Sequence, residues 1–431
     1  MGMDVLIEAT PEVVTIDGLP VTDPESTLAS LLQSGAELWT TTHRQTVTAL
    51  HERGIAIRGI RDLAAARRVC GHAGALDHLR TLPEWGWVVP EARFIDLWLH
   101  RQFQGWALDT DWLERRRVEL TERIAELNRS HGFDLNAATT EQLGVESRRL
   151  DDLRRRPSTP LIAAVIEAGE AKADLTKADE LLRHVVAGRI HPTIDAAGAG
   201  TGRMTVSAPA LHNMRGALRP ALTADPGQTL IGADWSACEM RVAAWLSGDE
   251  KLRADCAAGD LYTAVAERLG ITRQAAKLTL LAPLYGQGDA ALGENLSITA
   301  EEAADVRRQV FGQYRQLQRW VEATGHEDNI TLRSGVGQRH IAVVAPRLRV
   351  NYFVQGTARD LLVQAVLRIV DDPELGVGAV WMAVHDELTI SVPEDRAEAG
   401  IERLRAAMHF DLDGITLTAD PVHLGSRWGH P

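Results

Sequence analysis

At 431 residues, with 45% hydrophobic and 24% charged residues, the chain is too long for one compact core and too apolar for general disorder, so two to four domains are expected. No apolar run approaches the length of a membrane span, and Asp4, Glu8 and Glu12 interrupt the apolar stretch after Met1, which excludes a spanning helix and a signal-peptide pattern. The formal charge of −13 argues against a wholly basic nucleic-acid surface.

That charge is unevenly spread. Arg115, Arg116 and Arg117 form one basic run, Arg148, Arg149, Arg154, Arg155 and Arg156 a second, and Arg333, Arg339, His340, Arg347 and Arg349 a third. Such runs are usually solvated faces, so composition alone leaves the partners open. Cys70, Cys238 and Cys256 are far apart and form no paired motif, which excludes a cysteine zinc site and fits a reduced, cytoplasmic protein.

In chain order, residues 1–95 alternate short apolar strands (13–16 and 55–57) with helical patterns (44–53 and 61–68), the signature of a small α/β unit. Asp109 and Thr110 can cap a long helix whose apolar positions Leu113, Leu120, Ile124 and Leu127 recur at helical spacing. Pro157 and Pro160 break the chain before a second helix over 161–186. Two long helices closed by Gly188 predict an antiparallel arm rather than a globular core. Residues 194–220, rich in Gly, Ala and Pro and bearing arginines, read as a contact loop. A β-run at 229–233 then feeds a helix at 236–246, and a helical region fills 249–330. The end of the chain reads as a β-turn (331–343), a helix (351–370), and two β-runs (377–384 and 388–392) joined by His385, Asp386 and Glu387.

Chemistry is concentrated at three places. Asp234 ends an apolar strand, and Asp386 sits in a tight turn between two apolar runs. Rigid strands presenting carboxylates at their tips suit two magnesium ions and in-line phosphoryl transfer, although each Asp taken alone reads more readily as a turn former or helix cap. Arg273 and Lys277 are i and i+4 neighbours on one helix face that Leu281 and Tyr285 continue, giving charge for phosphates and a flat residue for base and sugar. The bland reading is an amphipathic helix with a basic end.

Ordered motifs resolve these alternatives. Asp234-Trp-Ser-Ala-Cys-Glu239-Met-Arg241 resembles motif A of family A DNA polymerases, the DNA polymerase I family, usually D-Y-S-Q-I-E-L-R. Arg273 to Gly286 resembles motif B, and Val384-His385-Asp386-Glu387-Leu388 resembles motif C. Thr201-Gly202-Arg203 with Leu211-His212-Asn213 resembles the T-G-R…L-Q-N segment that follows the primer-template. Asn351-x3-Gln355-Gly356-Thr357-Ala358-x-Asp360 resembles the segment before motif C, and Gly425-x2-Trp428 the usual ending.

The resemblance implies an α+β multidomain right hand. Its palm is an antiparallel sheet around Asp234 and Asp386, its fingers and thumb are helical, and a small α/β exonuclease-like remnant precedes them. The segments are 1–95 for the remnant, 96–107 linker, 108–195 thumb, 196–248 first palm part, 249–330 fingers and 331–431 second palm part. The implied activity is template-directed addition of dNTPs to a primer 3′ end, with release of pyrophosphate and without proofreading. The cofactor is a pair of Mg²⁺ ions, with Mn²⁺ as substitute. Asp234 and Asp386 would hold the metals, with Glu387 a weaker contributor. Arg273 and Lys277 would grip the triphosphate, Lys277 donating a proton to the leaving pyrophosphate. Glu239 would exclude a 2′-hydroxyl, and Leu281 and Tyr285 would line the nucleotide pocket. Arg203, Asn213, Arg241, Arg347, Asn351, Gln355 and His385 would contact DNA. The partners are primer-template DNA and dNTPs, with no membrane, in the cytoplasm with the nucleoid.

Several departures from the family pattern stand out. Trp235 and Ala237 replace tyrosine and glutamine, and Leu281 replaces an aromatic residue. Pro283 lies inside the expected fingers helix, where it removes one backbone hydrogen bond and predicts a kink or early end between Leu280 and Tyr285. In residues 37–44 the acid of an exonuclease motif is missing, leaving Asp17 and Asp62 as remnants. Two rival readings are a single-subunit RNA polymerase, which would lack an acid at Glu239, and an inactive nucleic-acid-binding descendant, which would have no reason to keep Asp234, Glu239, Arg273, Lys277 and Asp386 together.

Overall fold

A computed structural model describes residues 3–34, 36–55, 58–154, 159–326, 332–341 and 345–429. The chain forms two compact units that interleave along the sequence. The first comprises 1–103, 194–205 and 325–388, and the second 104–193, 206–324 and 389–431.

In the first unit, β1 (Asp4–Ala9) buries Val5, Ile7 and Ala9 on one face, the alternation of a half-buried strand. β2 (Val14–Ile16) and β3 (Leu19–Pro20) continue as an antiparallel meander, while β4 (Glu37–Thr40) and β5 (Arg61–Asp62) run parallel to β1 in the order β3-β2-β1-β4-β5. Parallel neighbours need crossovers, which α1 (Pro24–Gln33) and α2 (His43–Glu52) provide. Their apolar faces close a core of Leu28, Leu38, Val47 and Leu50 over the sheet. The strand expected at 55–57 falls partly on 56–57, outside the described residues, and Ile55 belongs to this core. Of the run expected to be helical at 61–68, the first two residues form β5 and the rest a helix over Leu63–Cys70, because the Asp62 carboxylate caps Ala64 N at 2.8 Å.

Residues 96–107, expected as a linker, have regular secondary structure. They complete a helix over Val88–Gln104 and begin the strand Trp106–Leu108, because Phe94, Leu97 and Trp98 recur at helical spacing and are buried. The helix Arg349–Asp371 is buried along most of its length. After it, residues 377–379 form a short 3₁₀ turn, and the wholly buried strand Val380–Val384 follows.

In the second unit, the Asp109 carboxylate caps the helix Thr110–His131 through Trp112 N at 2.8 Å, and Leu113, Leu120 and Leu127 face inward. Thr159 caps its partner, Pro160–His184. The expected plain arm is corrected here: Leu135, Ala138, Leu143 and Leu153 pack with Leu127, Ile162 and Val165 into a small core of their own. Arg155, Arg156 and Pro157 lie outside the described residues. The strand Gln228–Asp234 pairs antiparallel with Val422–Gly425, and the later part of the strand Glu387–Pro393 lies on its other side. The expected helical region resolves into helices from Glu250–Ala257 to Arg315–His326. Among the described residues no helix is long and apolar enough to cross a membrane.

Candidate active site

The second unit carries motif A. Burial of Leu230, Ile231 and Ala233 fixes the Gln228–Asp234 strand, and Asp234 emerges exposed at its end. Trp235, only 2% exposed, anchors the chain just beyond it by donating its indole N–H to the Met408 carbonyl at 2.6 Å and packing edge-on against Phe410. A tyrosine would lack that indole donor, which explains the departure at this position. Ala237 takes a left-handed conformation (φ 51°), turning the chain into the helix Cys238–Ser247, whose first turn holds Glu239. Arg241 donates to the Ser236 and Thr416 carbonyls, both at 3.0 Å, so its guanidinium clamps this turn.

Thr272 caps the helix Arg273–Leu281, which exposes Arg273 and Lys277 and half-buries Leu281. The helix ends two residues before Pro283, as the missing N–H requires, and the chain goes on through turns. Tyr285 N still reaches the Leu281 carbonyl at 3.1 Å, so the side chain is carried to the place where its hydroxyl donates to Glu239 Oε2 at 2.6 Å. A phenol and a carboxylate from two different motifs thus meet at the expected sugar side of the pocket. Asn213 is exposed at the end of a 3₁₀ turn. Buried Trp428 carries the Arg219 guanidinium 4.3 Å from its ring centre.

The first unit carries motif C. His385 and Asp386 form the turn between the strands Val380–Val384 and Glu387–Pro393, with His385 at φ 57°. His385 is exposed, while Asp386 and Glu387 are half-buried. Arg347 is exposed before the helix Arg349–Asp371, Gln355 is half-buried on it, and Asn351 is buried at 8% exposure.

Sequence reasoning missed the charged network beneath these residues. Arg359 and Glu91, each 2% exposed, form a two-pronged ion pair, one contact at 3.0 Å, and Arg359 also donates to the Ala196 carbonyl. Asp360, fully buried, accepts from Gly337 N and from Arg339 Nε at 3.3 Å, and Arg339 donates to the Thr201 carbonyl at 2.8 Å. Burial alone would raise the Glu91 carboxyl, but the Arg359 guanidinium brings it below its ordinary value; at Asp360 burial prevails over both arginines and pushes the carboxyl up. The network pins the loop that bears Arg203. Gly202 belongs to that loop because φ is +86° and a Cβ would lie 2.7 Å from Arg339 Nη2. The advance signals were Asp360, in a segment already noted for its pattern, and Arg339, in the third basic run.

The model of DNA polymerase family A matches residues 122–430. The chain belongs to that family. Among curated relatives, this family A chain is 28% identical to the thermostable DNA polymerase I of Thermus aquaticus, over 83% of its own length and 51% of the relative's. It is 30% identical to that of Thermus filiformis, over 76% and 46%. The chain therefore spans about half the length of the curated relatives it matches. Among solved structures it is similar to the POL domain of Pol1 from M. smegmatis, in complex with DNA primer-template and dNTP. The TM-score is 0.76 at 20% identity, covering 99% of this chain and 95% of that one. The fold is that of a right-hand family A polymerase domain, α+β throughout.

Proposed function

We propose that the chain is a template-directed DNA polymerase that adds dNTPs to a primer 3′ end and releases pyrophosphate. The observation that carries this is the hydrogen bond from Tyr285 to Glu239, which joins motif B to motif A beside the two exposed cations of the Arg273–Leu281 helix. Family membership supports the rest of the constellation.

Among the described residues no group of three or more His, Cys, Asp or Glu side chains is placed to hold a metal. Two strand-end carboxylates fit Mg²⁺ all the same, since that ion is commonly held by one or two carboxylates with water and substrate phosphates. Asp234 and Asp386 would hold two such ions, or Mn²⁺ in their place, with Glu387 contributing weakly. When bound, the ions supply Lewis-acid stabilisation of the transferring phosphoryl group. Arg273 and Lys277 neutralise the triphosphate, and Lys277 gives the proton to the leaving pyrophosphate. Glu239, held by Tyr285, leaves no room for a 2′-hydroxyl, and Leu281 lines the sugar side. Arg203, Asn213, Arg347, Asn351, Gln355 and His385 contact primer and template, whereas Arg241 acts as a clamp of the motif A turn. In this reading the thumb is 108–195, the fingers 249–330, and the palm 196–248 with 331–431, working in the cytoplasm on nucleoid DNA.

Residues 1–95 serve as a platform, a remnant without nuclease activity. Its acids are engaged in structure: Glu8 accepts from Thr41 and Thr42, Asp17 accepts from Leu6 N at 2.8 Å, and Asp62 caps a helix.

One assay tests the reading. With Mg²⁺ and a labelled primer-template, wild type should extend with dATP opposite template T and hardly at all with ATP. Glu239→Ala should raise the ATP rate relative to dATP by about 10²-fold, the size of effect expected when a steric and polar exclusion is removed. The same primer without nucleotides should keep its 3′ label. Failure to extend would overturn the polymerase reading. Label loss that Asp17→Ala abolishes would overturn the platform reading.

A further inference from the structure

The two cations assigned to the triphosphate are already engaged with neighbours that no motif names. Asp260 caps the helix Leu261–Leu269 and accepts four hydrogen bonds. Its Oδ1 takes Tyr262 N at 3.2 Å and Arg273 Nη2 at 3.3 Å, and its Oδ2 takes Thr263 Oγ1 at 2.6 Å and Arg273 Nε at 2.6 Å. The ring of Tyr262, 5% exposed, lies beneath both cations, with Arg273 Cζ 5.5 Å and Lys277 Nζ 5.9 Å from its centre. We infer that Asp260 and Tyr262 pre-set Arg273 and Lys277 for the incoming triphosphate, making Asp260 a positioning residue for nucleotide binding.

The geometry favours positioning over blockade. A guanidinium carries five N–H donors in a fixed fork, and Asp260 takes only its Nε–Nη2 edge. The Nη1 end remains for phosphate oxygens while Nε is held. The carboxylate is itself fixed, its pKa lowered to about 2 chiefly by the hydrogen bond from Arg273, so it stays charged across the working pH range. The Tyr262 ring adds a flat electron-rich surface that favours both cations without neutralising either. A long side chain ordered in advance loses less freedom when the ligand arrives, which appears as affinity rather than as rate.

The inference rests on the polymerase reading, and its test separates the two. Asparagine caps a helix about as well as aspartate, so Asp260→Asn keeps the fold while removing the charge and one acceptor. In steady-state primer extension with Mg²⁺, Asp260→Asn should raise KM for dNTP about five- to tenfold and leave kcat within about twofold. In an Arg273→Lys background, where no Nε edge exists, adding Asp260→Asn should leave KM unchanged. A lower KM in the single variant would mean that Asp260 competes with the triphosphate, and overturns the inference. So does an unchanged KM, or an equal rise in both backgrounds. A wild type that extends no primer overturns the polymerase reading and this inference with it.

Discussion

Asp386→Ala is expected to lower single-turnover dNTP addition by about 10³-fold or more, equivalent to roughly 4 kcal/mol of transition-state stabilisation. Asp386 sits in a turn whose reversal His385 provides at φ 57°, between strands that are themselves buried. Its side chain is half-buried and the flanking strands hold the turn, so alanine removes a carboxylate without opening a cavity. In the proposed reading the two aspartates are the principal protein ligands, so losing one would leave the metals underheld. Asp234→Ala should match the loss, and the double variant should be hardly worse, since groups that act as a unit are not additive. Thermal unfolding should be nearly unchanged in all three. Extension by Asp386→Ala at a rate near wild type would remove Asp386 from the chemistry.

Arg359→Ala should be the most destabilising single substitution in the first unit, at about 3–5 kcal/mol, or a fall in Tm of roughly 6–15 °C. The cost arises from what remains. Glu91 would stay 2% exposed with its guanidinium partner gone, and the Ala196 carbonyl would lose a donor. Replacing both partners with leucine should recover much of the loss, because an apolar pair leaves no unpaired charge behind. Denaturant melts of Arg359→Ala, Glu91→Leu/Arg359→Leu and wild type distinguish these outcomes. A destabilisation under about 1 kcal/mol for Arg359→Ala would show that water, not Arg359, satisfies Glu91.

What could be read from the sequence was local. Asp109, the strand running into Asp234, and the early helix end before Pro283 each follow from backbone chemistry within a few residues, and the structure has all three. Leu113, Leu120 and Leu127 face inward as their spacing implied. The unread parts depend on distant partners. Glu91 carries no signal of its own in the sequence, and nothing within helical reach of it announces an arginine 268 residues away. Asp260 caps a helix, which is a local role, but its bond to Arg273 needs the following helix to fold back across it. The small core between the two long helices was hidden because its residues lie in short, irregular pieces that show no periodicity.

The interleaving of the two units has a consequence for synthesis. The chain leaves the first unit after residue 103 and does not return to stay until residue 325. At elongation rates of about 5–20 residues per second, Glu91 waits on the order of 15–50 seconds on the ribosome before Arg359 is made. During that interval Glu91 cannot be buried beside its guanidinium, so the part of the Val88–Gln104 helix around it lacks its final packing. The N-terminal sheet can form early with Leu99 of that helix in its core, while Glu91 at the other end of the helix still lacks its partner. Closure of the first unit around Glu91 therefore follows synthesis of Arg359, 268 residues later.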